Sequence, residues 1–124
     1  MLLHDLYTIQ STTESENQVQ AEVLLHAGHA IFKGHFPGQP VLPGVCMMEM
    51  ITEIMGEHLK KSFRISSAPL IKFLLMIDPR KNPRIHIEIK YQILPGNTTV
   101  NGKIFSGAQT FMKFQMNLVQ VVGS

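Results

Sequence analysis

Apolar and polar positions alternate along most of this chain, and one long apolar run interrupts the alternation near its middle. Arg84-Ile-His-Ile-Glu-Ile-Lys sets Ile85, Ile87 and Ile89 on one face and His86 and Glu88 on the other, the period of a half-buried strand. Val19, Ala21 and Val23 alternate with Gln20 and Glu22 in the same way over Val19–Leu25. The pattern predicts further strands around Leu6–Gln10, Ser67–Ile77, Arg84–Leu94, Thr98–Ser106 and Thr110–Val122. Residues 12–18 read as a polar turn, and Pro95-Gly96-Asn97 and Ser106-Gly107 as two more.

From Gly44 to about Lys61 the period changes. Val45, Met47, Met48, Met50, Ile51, Ile54 and Met55 cover most sides of one predicted helix, as expected of a helix inside a core. Glu49, Thr52, Glu53 and Lys60 form one narrow polar stripe on it, and Pro43 sits where the helix starts. Upstream, His26 to Pro43 is rich in Gly, His and Pro, so an ordered non-helical loop is predicted there. A single long helix among long strands predicts an α+β fold in which an antiparallel sheet wraps the helix. The sheet's other face and edges must then be covered or solvated, and a partner subunit is one way to cover them.

Composition narrows the class. A length of 124 residues with 44% apolar content fits one domain, residues 1–124, with a core of its own. Eleven Lys and Arg against nine Asp and Glu give a net charge of +2, too weak and too dispersed for a nucleic-acid surface. Cys46 is the only cysteine, so no internal disulfide forms. No apolar run approaches the roughly 20 residues of a membrane span, and Met-Leu-Leu-His-Asp does not read as a signal peptide. The expectation is a soluble cytoplasmic protein.

The chemistry concentrates in Gly34-His35-Phe36-Pro37-Gly38-Gln39-Pro40-Val41-Leu42-Pro43-Gly44 and in Glu49 beyond it. His35 can exchange protons near neutral pH and stands at the head of a proline-stiffened loop. Gly44 falls at the helix N-terminus, where free N–H groups favour a negative oxygen. Glu49 lies little more than a turn further on, among methionines and isoleucines that should push its pKa up. A base, an acid and an oxyanion donor share one segment. His4, His26, His58 and His86 read as structural or exposed, with His29 the nearest other histidine to His35. His26, His29 and His35 match no zinc spacing, and Cys46 reads as a small buried apolar residue rather than a nucleophile.

This segment resembles the active-site motif of the β-hydroxyacyl-[acyl carrier protein] dehydratases. They carry His-Phe-Pro-x-x-Pro-x-x-Pro-Gly with a glutamate fourteen residues after the histidine, and here 49 − 35 = 14. The resemblance covers roughly residues 29–55. The related dehydratase–isomerases have aspartate at the place of Glu49 and cysteine where this chain has Val45. Two departures stand out. Glu53 replaces a usual glutamine that supports the catalytic glutamate, and Ile77–Pro83 only loosely matches the family's Arg-Pro-x-x-Pro-Gly-Asp turn.

The resemblance implies a hotdog fold and dehydration of a 3-hydroxyacyl thioester to a trans-2-enoyl thioester. His35 would take the C2 proton, Glu49 would protonate the leaving hydroxyl, and the Gly44 amide would hold the thioester oxygen. Phe36 and Val45 would contact substrate, with Pro43 and Glu53 in support. No metal, nucleotide or flavin is implied, because the thioester itself acidifies C2. The implied partners are an acyl carrier protein, or coenzyme A, and a second copy of the chain in a homodimer or larger homo-oligomer. In the family each site takes its histidine from one protomer and its glutamate from the other. A hotdog thioesterase and a non-catalytic acyl-binding hotdog subunit are the alternatives.

Overall fold

The computed structural model describes residues 1–34 and 38–122. Strands β1 (Tyr7–Ser15) and β2 (Gln18–Leu25) precede a one-turn helix α1 (Ile31–Gly34) and the long helix α2 (Gly44–Leu59). Strands β3 (Phe63–Phe73), β4 (Arg84–Leu94), β5 (Asn97–Ser106) and β6 (Gln109–Gln120) follow. Among the described residues all six strands join one antiparallel sheet in the order β1-β2-β4-β5-β6-β3.

Register explains the core. Val19, Ala21 and Val23 of β2 pair with Ile89, Ile87 and Ile85 of β4, so one face carries an unbroken apolar row. The row continues through Ile104 paired with Met112, and Val100 paired with Met116. Met50, Ile51, Ile54 and Met55 of α2 are buried with these residues in one cluster. A fully buried side chain of this kind contributes about 1.5–3 kcal/mol.

The central strands fall where alternation predicts them, and β4 matches to the residue. Three expectations are corrected. Residues 12–15 belong to β1, and the turn is confined to Glu16 and Asn17, the latter at φ 56°. This half of β1 lies on the sheet's edge, exposed throughout, so polarity there carries no register signal. Strand β3, the other edge, spans Phe63–Phe73 rather than Ser67–Ile77, with an irregular register around Pro69, a residue suited to edges. Beyond it the chain leaves the sheet: Leu74 donates to the Phe111 carbonyl, and the Ile77 carbonyl accepts from Leu42. Lastly, Ile31–Gly34 forms a helical turn inside the expected loop, because Phe32 enters the core and the His29 Nδ1 accepts the Ile31 N–H at 3.0 Å.

Helix α2 starts after Pro43, as predicted, and ends at Lys60, whose φ of 57° closes it in the left-handed conformation. Among the described residues no helix is long and apolar enough to cross a membrane.

One close approach makes a sharp test of the packing. A Cβ on Gly102 would overlap the Glu88 carbonyl of β4 and lie 3.2 Å from the Phe114 ring. Gly102→Ala should therefore destabilise the fold by about 2 kcal/mol or more. Urea unfolding measures this, and an unchanged midpoint would mean that the strands separate freely there.

Candidate active site

Pro43 fixes the entry to α2 with extended backbone and offers no side-chain cap. The Cys46 and Met47 amides turn back to the Pro43 carbonyl, at 3.1 and 3.2 Å. The amides of Gly44 and Val45 precede the first helical bonds and are the ones a ligand oxygen could use. Val45 points outward, 74% exposed. At Gly44 the Phe73 ring presses close: an added Cβ would lie 2.8 Å from its Cε1. Nothing in the pattern of the sequence marks Phe73 as a neighbour of Gly44, because the contact joins α2 to an edge strand. A groove of about 350 Å³ opens here, lined by Val41, Gly44, Met47, Phe73, Leu74 and Met76 among others.

Glu49 lies elsewhere on the same helix, at a hollow of about 430 Å³ that also borders Thr52, Glu53, Lys60 and Lys61. Its side chain is exposed in the single chain and is not wrapped by the methionines and isoleucines, which face the sheet. Its pKa nevertheless rises: partial desolvation, then the charge of Glu53 and a hydrogen bond to it, push the carboxyl above its usual range, against the Met1 amino group. Because the Glu49 side chain is open, the Glu53 charge one turn away is the firmer of these causes.

The polar stripe read from the sequence is only partly solvated: Glu49 and Lys60 are exposed, while Thr52 and Glu53 are buried. Thr52 is buried and donates to the Met48 carbonyl at 3.1 Å. Glu53 is buried at 7% exposure. Its carboxylate accepts the Leu2 N–H at 2.8 Å, the Leu3 N–H at 2.9 Å and the Tyr7 hydroxyl at 2.9 Å. Hydrogen bonds to a charged group each contribute about 1.5–3 kcal/mol, which offsets the burial of the charge. Burial, then the Glu53 charge and hydrogen bond, hold the Tyr7 phenol protonated far above its usual range, so it remains a donor.

His35, Phe36 and Pro37 lie outside the described residues. The structure thus sets Gly44, Val45, Glu49 and Glu53 on one helix capped by Pro43, with Glu49 exposed and Glu53 buried one turn on. Other histidines have structural partners. His26 bridges Thr8 Oγ1 at 2.6 Å and the Asp5 carbonyl at 2.8 Å. His58 lies between Glu14, 3.1 Å from Nδ1, and the Tyr91 hydroxyl, 3.1 Å from Nε2. His86 stacks on Phe105.

Comparison with known proteins places this arrangement in a class. Residues 11–107 match the family model described as ApeI-like, ApeI dehydratase. The chain belongs to this ApeI-like dehydratase family and is a divergent relative of the FabZ dehydratases. It is 38% identical over 66 residues to the 3-hydroxyacyl-[acyl-carrier-protein] dehydratase FabZ of Mannheimia succiniciproducens, covering 53% of this chain and 39% of that protein. It is 33% identical over 86 residues to FabZ of Haemophilus influenzae, 59% of this chain and 58% of that one. The chain thus aligns with less than two thirds of the length of either relative.

Among solved structures, a chain of the dehydratase heterocomplex ApeI:P from Xenorhabdus doucetiae superposes with a TM-score of 0.71 at 20% identity, over 90% of this chain and 96% of that one. A protein from Erwinia carotovora gives 0.64 at 22% identity, over 92% and 94%. The fold is the hotdog fold expected from the motif.

Cys46 is buried, and burial, then the charges of Glu49 and Glu53, push its thiol up, away from the thiolate. Ellman's reagent should label it at least about a hundredfold more slowly in the folded protein than in denaturant. Comparable rates would show the thiol open to solvent.

Proposed function

We propose that the protein dehydrates a 3-hydroxyacyl thioester, delivered on an acyl carrier protein or coenzyme A, to the trans-2-enoyl thioester and water. The observation that carries this reading is Glu49, a carboxyl with a raised pKa on the same helix whose N-terminus, at Gly44, opens onto an apolar groove. Membership of the dehydratase family and the motif from His35 to Gly44 support it. In this reading His35 removes the C2 proton. Glu49, protonated, gives its proton to the hydroxyl as the C3–O bond breaks. The electron pair of the C2–H bond becomes the new C2–C3 double bond. The Gly44 amide bonds the thioester oxygen while charge builds on it, a preorganised donor of the kind that contributes several kcal/mol. Phe36 and Val45 border the substrate.

The site is proposed to span two subunits. Gly44 and Glu49 are separated by about 7.5 Å of helix rise, and the free edge at β3 carries exposed Leu70 and Phe73, with Leu74, Leu75 and Met76 just after it. A second chain paired there would cover these side chains and bring its own His35 toward Glu49. The Xenorhabdus neighbour is a heterocomplex, so a partner of different sequence is the second form this assembly could take.

Incubation with 3-hydroxybutyryl and longer 3-hydroxyacyl thioesters tests the reaction. Enoyl absorbance supports dehydration. Free thiol would point to a thioesterase, and neither product to an acyl-binding subunit. His35→Ala and Glu49→Gln should each lower turnover by roughly two to four orders of magnitude without loss of folding. Near-normal activity in either variant would remove that residue from the mechanism.

Mixing the two inactive variants tests the shared site. A mixed dimer rebuilds one intact site of two, and random exchange makes about half the dimers mixed, so activity should return to about a quarter of wild type. No recovery, with exchange verified by mass, would assign each site to a single chain.

A further inference from the structure

Glu53 is the one charged side chain buried among the described residues. Its surroundings are unusual in being built from a distant part of the chain. Leu2 donates to Oε2, while Leu3 and Tyr7 both donate to Oε1, from 46 to 51 residues away in sequence. All three partners are donors, the set an ionised carboxylate accepts and a carboxylic acid would not need.

A carboxylate offers about four acceptor positions. The donors fill both at Oε1 and one at Oε2. The position left over on Oε2 is available to a proton donor on the same side of α2. Glu49 stands one turn earlier and borders the same hollow. Two ionised carboxyls this close repel, so the pair is comfortable only when one of them holds a proton. Glu53 is surrounded by donors, whereas Glu49 is not, so the proton belongs on Glu49.

We propose that Glu53 is a positioning residue for Glu49: fixed as an anion by Leu2, Leu3 and Tyr7, it accepts the Glu49 O–H and keeps Glu49 in its acid form, aimed into the site. This rests on the dehydratase reading for its purpose but not for its geometry. The segment from Leu2 to Tyr7 thereby becomes part of the site's support, although it touches no reacting atom. A neutral amide at position 53 would hold Glu49 by a hydrogen bond but would supply no charge to retain its proton.

In the proposed shared site His35 of the second chain faces Glu49, and among the described residues the following groups do. Glu53 and Cys46 share its helix, and the Met1 amino group opposes the effect of Glu53. Lys60, Lys61 and Glu57 border the same hollow, and Tyr7 lies behind Glu53. Glu53→Gln removes the Glu53 charge and no other titratable group. The acid form of Glu49 is lost as pH rises through its pKa. A raised pKa therefore carries activity to higher pH, and removing the Glu53 charge should bring the high-pH limb down.

The test is a carboxyl carbon-13 NMR titration of Glu49 in the intact protein, its resonance assigned by its loss in Glu49→Gln, together with the pH profile of kcat/KM. In the wild type Glu49 should titrate above the ordinary glutamate range. In Glu53→Gln its midpoint, and the high-pH limb of kcat/KM, should both move to lower pH. An ordinary midpoint in the wild type overturns the proposal even if Glu53→Gln fails to fold. An unchanged midpoint in a folded Glu53→Gln overturns it as well. If no thioester is dehydrated but the midpoint moves as expected, the pair stands and the dehydratase reading falls. If product forms but the midpoint does not move, the reverse holds.

Discussion

Helix α2 is apolar on nearly every side, and that single constraint shapes the molecule. Such a helix cannot lie on a surface without exposing methionine and isoleucine to water, so the sheet has to curl around it. The strands in the middle of the sheet meet this demand with matched rows of Ile and Val on β2, β4 and β5 and Met and Phe on β6. The strands at the rim, β1 and β3, stay largely exposed. The proposed site follows from the same geometry: the N-terminus of the helix emerges where the wrap is incomplete, beside Phe73 and the apolar segment after β3.

Within this apolar setting the fold admits one buried charge. Glu53 turns the beginning of the chain into a structural neighbour of the helix, because the Leu2 and Leu3 amides and the Tyr7 hydroxyl meet on one carboxylate. Breaking such an arrangement from one side leaves a charge without partners, the costly case for buried ions. The N-terminal residues are held by chemistry as much as by packing.

The sequence made some of this legible and hid the rest for physical reasons. Strands buried on one face announce themselves by alternation, which is why β4 and the end strands' central neighbours fall where expected. Edge strands lack a buried face, so the polar half of β1 read as a turn and β3 read four residues late. Helix α2 was legible from Pro43 and its apolar run, and Glu49 and Gly44 from their spacing to His35. His35 itself lies outside the described residues. The partners of Glu53 were not legible, since two of the three are backbone amides far along the chain and leave no residue-type signal. Phe73 was hidden in the same way, as its contact with Gly44 depends on where β3 departs from the sheet.

His58 has a consequence of a mechanical kind. It projects from the end of α2 and reaches Glu14 on β1 with one ring nitrogen and Tyr91 on β4 with the other, each at 3.1 Å. Strand β2 runs between those two strands, which two strand spacings of about 4.8 Å would hold roughly 10 Å apart. The ring therefore ties the end of the helix farthest from Gly44 to two strands that do not pair with each other. One imidazole thus cross-links helix, edge strand and inner strand without any covalent bond.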